Sequence, residues 1–255
     1  MMGTSHAVSG AAAWVAITTT TPGFGWERLD PLGVITGALV CAGAALLPDI
    51  DHPSSTVAAG LPGGRVISGA VSGLTGGHRK GMHSLVAVIG VVIGAVALSF
   101  ATWTPPSWDA ELPVGPAIGA AVCIAIGTKC LRIARGWFAS WLVGVAAAGG
   151  IMWWFPDQFG WLATCVGVGF VVHLIGDTLT TGGVPWLWPL MLKRPVVFRR
   201  TLLITKLWPR RGSFALPLLG DAGSWREWIL TLALGAFAAW GLVGAAVRLL
   251  APLFA

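Results

Sequence analysis

The sequence predicts an all-α, polytopic transmembrane helical bundle of about five to seven helices. Three observations predict it. Of the 255 residues, 55% are hydrophobic and 10% charged, where a soluble domain carries about 25% charged residues. The mean hydropathy is +0.78. The apolar residues fall in long runs rather than in the alternation of half-buried strands.

The runs place helices at 7–21, 32–47, 85–103, 114–127, 137–155, 161–175 and 228–250. Several are shorter than the roughly 20 residues that cross a bilayer. The run at 114–127 is the weakest and admits a re-entrant or interfacial reading. The first run has no basic stretch before it and starts too early for a cleavable leader, so His6 is expected to stay in the mature protein. The last helix opens on Ser224-Trp225-Arg226-Glu227, a capping box with a structural role only. The whole chain, 1–255, reads as one membrane-embedded domain, with insertions at about 48–84 and 176–224.

The net charge of +6 does not point to nucleic acid, because its distribution reports topology. With seven spans the loops alternate sides. One side holds Arg65, Arg79, Lys80, Lys129, Arg132, Arg135, Lys193, Arg194, Arg199, Arg200, Lys206, Arg210, Arg211 and Arg226, which is 14 of the 16 basic residues. The other holds Arg28 and Arg248 beside Glu27, Asp30, Asp109, Glu111 and Asp157. The positive-inside rule makes the first side cytoplasmic. The insertion at 176–224 opens with Gly182-Gly183-Val184-Pro185 and alternates apolar residues with basic ones. That suits a segment lying on the membrane surface; short strands around 195–206 fit it equally. Trp26, Trp103, Trp108, Trp161 and Trp228 sit near run ends, as an interfacial belt places them. Cys41, Cys123, Cys130 and Cys165 form no CxxC and read as buried reduced thiols.

The five histidines all fall on the predicted cytoplasmic side, in compact polar motifs. Ionisable groups at membrane depth are costly and mark function by default, and imidazole with carboxylate is a metal-ligand set. Pro48-Asp49-Ile50-Asp51-His52-Pro53 ends the second run. In an extended turn Asp49 and Asp51 point the same way, and Pro53 keeps His52 out of helical geometry. An Asp-rich turn is the plain alternative. His78-Arg79-Lys80-Gly81-Met82-His83-Ser84 enters the third run. Arg79 and Lys80 suit an anion there, and a basic membrane anchor is the plain alternative. Ser84 reads as a helix cap before it reads as a nucleophile. His173 and Asp177, four apart, share a helix face, the geometry of a chelating pair or of a simple helix-end hydrogen bond. His6 opens the first run.

At this point the chain resembles the YdjM-like family of inner-membrane proteins, to which LexA binding and metal-dependent hydrolysis are ascribed. The resemblance rests on His6, on Leu46-Leu47-Pro48-Asp49-Ile50-Asp51-His52, on His78-Arg79 through His83-Ser84, and on His173 through Asp177 followed by Gly183-Val184-Pro185 and Trp188-Pro189. It runs from about 3 to 227. Lys80 departs from the small residue more familiar there, and the segment 101–160 is longer than the family core. The resemblance implies metal-dependent hydrolysis at the bacterial inner membrane and supplies no substrate. A remoter likeness, to the zinc phospholipase C group, slightly favours phosphoester chemistry.

Together these observations predict a multi-pass inner-membrane hydrolase whose metal site faces the cytoplasm. The expected ligands are His6, Asp49, Asp51, His83, His173 and Asp177, with His52 and His78 as ligands or their supports. One or two divalent ions are expected, zinc first, then manganese or iron. Asp51 is the expected base, and Arg79 with Lys80 the expected grip on an anionic, amphiphilic substrate such as a phospholipid. Membrane lipids are the other expected partner, and no nucleic acid. Two further classes remain: a cation transporter lined by the same residues, and a scaffold that metal merely staples.

Overall fold

The structure is a computed structural model and describes residues 1–19, 29–106, 110–192, 201–208 and 212–254. Among these residues it is all-helical, with only isolated bridges and no strand. All seven expected helices form: α1 (Gly3–Thr19), α2 (Pro31–Ala44), α5 (Leu85–Ser99), α6 (Val114–Cys130), α7 (Trp137–Trp154), α8 (Leu162–Thr178) and α10 (Trp225–Leu250). Between them lie the short helices α3 (Thr56–Gly60), α4 (Gly64–Thr75) and α9 (Leu202–Leu207). Four stretches are long and apolar enough to cross a membrane: Pro31–Asp51, Trp137–Trp154, Pro156–Thr178 and Trp225–Leu253. Leu85–Ser99 and Val114–Cys130 are apolar but shorter.

Helix α2 is the hub, packed against α1, α6, α8 and α10. Its composition explains this. Gly33, Gly37, Ala38, Ala42, Gly43 and Ala44 are buried, and small residues let apolar helices approach closely where hydrophobic burial supplies no drive. A Cβ on Gly43 would lie 1.9 Å from the Cys123 carbonyl oxygen of α6, and one on Gly169 of α8 would lie 2.7 Å from that of Cys41. Asp30 caps α2 by accepting from the Gly33 amide at 2.7 Å, with Pro31 in the first turn.

Several expectations change. The stretch 114–127 lies within helix α6, packed between α2 and α7. Helix α1 starts at Gly3, so His6 lies within it. Trp161 is buried against Trp14, with ring centroids 5.6 Å apart, rather than in an interfacial belt. Trp103 and Trp228 are exposed as expected, while Trp26 and Trp108 lie outside the described residues. The part of the possible strand at 195–206 that is described, Leu202–Leu207, is helical; residues 195–200 lie outside the described ones. Half of the capping box forms: Ser224 Oγ accepts from the Glu227 amide at 3.3 Å, while the Ser224 amide donates to the Asp221 carbonyl and leaves other partners to the carboxylate of Glu227. That carboxylate accepts from the Gly223 amide at 2.9 Å and from the Met2 amide at 2.7 Å, tying α10 to the start of α1. The cysteines are free thiols, with Cys41, Cys123 and Cys165 buried.

Candidate metal centre

The up-and-down order of the helices brings the start of α1, the end of α2, the start of α5 and the end of α8 to one end of the bundle. The motif residues meet there. His6, Asp51, His83, His173 and Asp177 are each at most 1% exposed, and Asp49 is partly exposed.

His173 is the best-determined group. Its Nδ1 lies 2.7 Å from the Ala45 carbonyl oxygen. A carbonyl only accepts, so Nδ1 carries the hydrogen and Nε2 offers a lone pair. That is the outer-shell arrangement that fixes the ring of a metal-binding histidine. His173 Nε2 faces His83 Nε2 at 3.2 Å, Asp49 Oδ1 at 3.8 Å and Asp177 Oδ2 at 3.9 Å. His83 Nε2 lies 3.6 Å from Asp49 Oδ1 and 3.9 Å from Asp177 Oδ2. Tetrahedral coordination at roughly 2.0–2.1 Å puts ligand atoms about 3.3 Å apart, and the two Nε2 atoms, each 3.6–3.9 Å from an oxygen of Asp49 and of Asp177, come near that spacing. The His6 ring stacks on His173 with centroids 3.7 Å apart, and its Nε2 lies 3.2 Å from Asp177 Oδ1. The Met1 ammonium contacts the same oxygen.

Among the described residues, three groups could hold a metal ion: His6 with His173 and Asp177, Asp49 with His83 and His173, and Asp49 with Asp51 and His78. The donor set fits a divalent ion. His6 Nδ1 is buried without a hydrogen-bond partner, a costly state for a polar atom unless a cation or water completes it; Asp177 Oδ2 makes no directed hydrogen bond and has the Arg79 guanidinium as its counter-charge.

Asp49 and Asp51 do not point the same way. The Pro48 turn winds as a 3₁₀ helix over Leu47–Asp51, and at three residues per turn positions i and i+2 diverge. The two carboxylates therefore bracket His83, Asp49 beside Nε2 and Asp51 beside Nδ1 at 3.5 Å. Asp51 also accepts from His78 Nδ1 at 2.8 Å and from the Arg79 amide at 3.1 Å. Burial pushes the His83 imidazole toward neutrality, but hydrogen bonding and charge from Asp49 and Asp51 outweigh it and raise the pKa from 6.5 to about 9.

Arg79 adopts a left-handed backbone with φ 56°, rare for a residue with a side chain and concentrated at functional sites. The turn sends its guanidinium to Asp177, with Nη2 3.2 Å from Oδ2. A Cβ on Gly182 would lie 2.7 Å from Nη1, so glycine there leaves the guanidinium its room. His52 stays outside. It is exposed, its Nδ1 is 2.9 Å from Ser54 Oγ, and only the edge of its ring meets His78. Lys80 lies back along Gly76 and Gly77. Ser84 is buried and caps α5, accepting from the Ala87 amide while donating to the Gly81 carbonyl at 2.5 Å; it has no freedom as a nucleophile. Sequence reasoning missed the Ala45 carbonyl, the Met1 ammonium and Gly182. A backbone carbonyl leaves no mark in a sequence, and Gly182-Gly183 reads only as a turn.

The chain matches a family model described as YdjM inner membrane protein over residues 1–250. No curated protein and no solved structure matches.

Proposed function

This chain belongs to the YdjM inner membrane protein family, and from that premise we propose that it is a multi-pass, metal-dependent hydrolase of phosphoesters at the cytoplasmic membrane face. The observation that carries the proposal is that His83 Nε2 and His173 Nε2, from separate segments, lie 3.2 Å apart and each within 3.6–3.9 Å of a carboxylate oxygen of both Asp49 and Asp177.

When bound there, a divalent ion supplies Lewis acidity and lowers the pKa of water toward 7. His83, His173, Asp49 and Asp177 would hold it, with His6 completing Asp177. The Ala45 carbonyl keeps His173 in the donor tautomer. Asp51 orients His83 and, through its contacts with His78 and the Arg79 amide, fixes the entering loop. Asp49 is partly open to solvent and is better placed than Asp51 to take a proton from an attacking water, since every Asp51 oxygen already faces a donor. Arg79 is 35% exposed and borders the centre, where a guanidinium suits a phosphate oxygen.

Conduction fits less well. Among the described residues, the buried Asp, Glu and His are His6, Asp51, His83, His173, Asp177 and Glu227. All lie at one end of the bundle, and a cation path needs polar groups through its length.

The test is elemental analysis of purified protein, paired with release of phosphate or phosphorylated head group from a lipid panel. The expected result is one to two ions per chain, zinc, manganese or iron, with Asp49→Ala and His173→Ala each losing most of the metal and the turnover. Full occupancy in the double variant removes these residues from the centre. A metal-loaded wild type that turns over nothing on the panel defeats the phosphoester reading.

A further inference from the structure

Beside the metal centre, the 176–224 insertion encloses a second space. A cavity of about 410 Å³ lies among Trp186, Leu187, Leu190, Leu192, Trp208 and Phe214, a size within the range of ligand pockets. It is a built feature. Val184 and Phe214 exchange backbone hydrogen bonds at 3.0 and 2.9 Å across its base, and Trp208 Nε1 donates to the Leu192 carbonyl at 3.0 Å across its rim.

Trp186, in its lining, is bonded to the segments that carry the candidate ligands. Its Nε1 donates to Thr178 Oγ1 at 2.8 Å, on the residue after Asp177. Its carbonyl accepts from the Leu85 amide at 3.0 Å, two residues after His83. Trp186 is thus held to both ligand-bearing segments, to α8 by its indole and to the start of α5 by its backbone carbonyl. Leu187, Leu190, Leu192 and Phe214 are each more than half exposed at the mouth, an apolar patch that water does not favour. Lys206 on α9 suits an anionic head group.

We propose that this cavity takes the hydrocarbon chain of a membrane amphiphile whose phosphate reaches Arg79 and the metal centre. The phosphate end rests on the function proposed above; the chain end rests on the cavity alone.

The experiment uses full-length, delipidated, zinc-loaded protein in amphipol and measures binding of butyl- and octylphosphonate, which are not hydrolysed, and of 1-butanol and 1-octanol, by titration calorimetry. Each methylene entering an apolar site is worth about fourfold in affinity. Octylphosphonate is therefore expected to bind on the order of a hundredfold more tightly than butylphosphonate. Ser213→Trp, which fills the cavity from its lining, should reduce that gain to less than about tenfold while zinc content and butylphosphonate binding stay. Leu190→Gln on the exposed rim should reduce it in the same direction and guards against a folding defect in the first variant. Equal affinity of the two phosphonates for wild type, or an unchanged gain in both variants, overturns the cavity assignment and leaves the phosphoester reading standing. A chain-length gain with the alcohols but no preference for phosphonate keeps the cavity and sinks the phosphoester reading.

Discussion

At the scale of single residues, the centre is organised around His83, a ring with a carboxylate on each side. With a pKa of about 9 against 6.5 unperturbed, His83 is protonated in the metal-free protein at neutral pH. Folding stability from this raised pKa is fully present below about pH 6.5 and is lost as pH rises through about 9. Metal requires the neutral ring and must displace that proton. The expected outcome is opposite pH trends: the Tm of metal-free protein falls between pH 7 and 10, while the Tm increment from zinc grows and levels off above about 9. A zinc increment independent of pH over that range removes His83 from the ligands. Arg79 supplies a second residue-scale prediction. Its left-handed backbone costs about 1–2 kcal/mol that glycine does not bear. Arg79→Gly should therefore fold at least as stably and keep its metal, yet lose roughly thirty- to a thousandfold in turnover, about 2–4 kcal/mol of transition-state contact. Arg79→Lys should recover only part, because an ammonium cannot form the planar fork. If Arg79→Gly sheds the metal instead, the guanidinium is a structural counter-ion of Asp177, and the scaffold reading gains.

At the scale of elements, close helix packing sets the ligand geometry. Asp49 hangs from the end of α2 and His173 from α8, and their separation depends on glycines that let the backbones touch. Gly43→Val on α2 meets the Cys123 carbonyl at a distance no side chain tolerates, and overpacking of a tight core costs about 1–3 kcal/mol or more. The variant is expected to melt well below wild type and to lose zinc affinity together with stability. Gly90→Ala on α5, where an added Cβ meets nothing within 4 Å, should leave both unchanged. Thermal unfolding in detergent, with and without zinc, distinguishes the pair. Equal tolerance of both changes would mean that α2 and α6 are not in contact.

At the scale of the whole molecule, the distribution of charge orients the bundle. The centre, the 48–84 insertion and α9 share the end to which the order of loops in the sequence assigns 14 of the 16 basic residues, so they are expected in the cytoplasm. Cysteines introduced at Arg65 and Lys206, in a background whose native cysteines are replaced, should react with a membrane-impermeant maleimide only after the cells are opened. Labelling of either in intact spheroplasts reverses the orientation and moves the substrate to the other membrane face.

The helices and the composition of the site were legible in the chain itself, because each depends on local chemistry. Apolar runs of bilayer length allow little but helix, since backbone groups in lipid must be satisfied within the segment. Likewise the i, i+4 spacing puts His173 and Asp177 on one face of whatever helix carries them. The roles inside the site were not legible. Nothing in Asp49-Ile50-Asp51 says that the turn winds as 3₁₀ and turns one carboxylate to each side of His83. Nor does the sequence say that Arg79 reaches back to Asp177 through the gap at Gly182, that Ala45 presents its carbonyl to His173, or that His52 is left in solvent. These depend on the path of the backbone between elements distant in sequence, which close packing of small residues fixes and which no local propensity encodes. The sequence by itself determined what kind of atoms gather at that end of the membrane; tertiary packing decided which of them face one another.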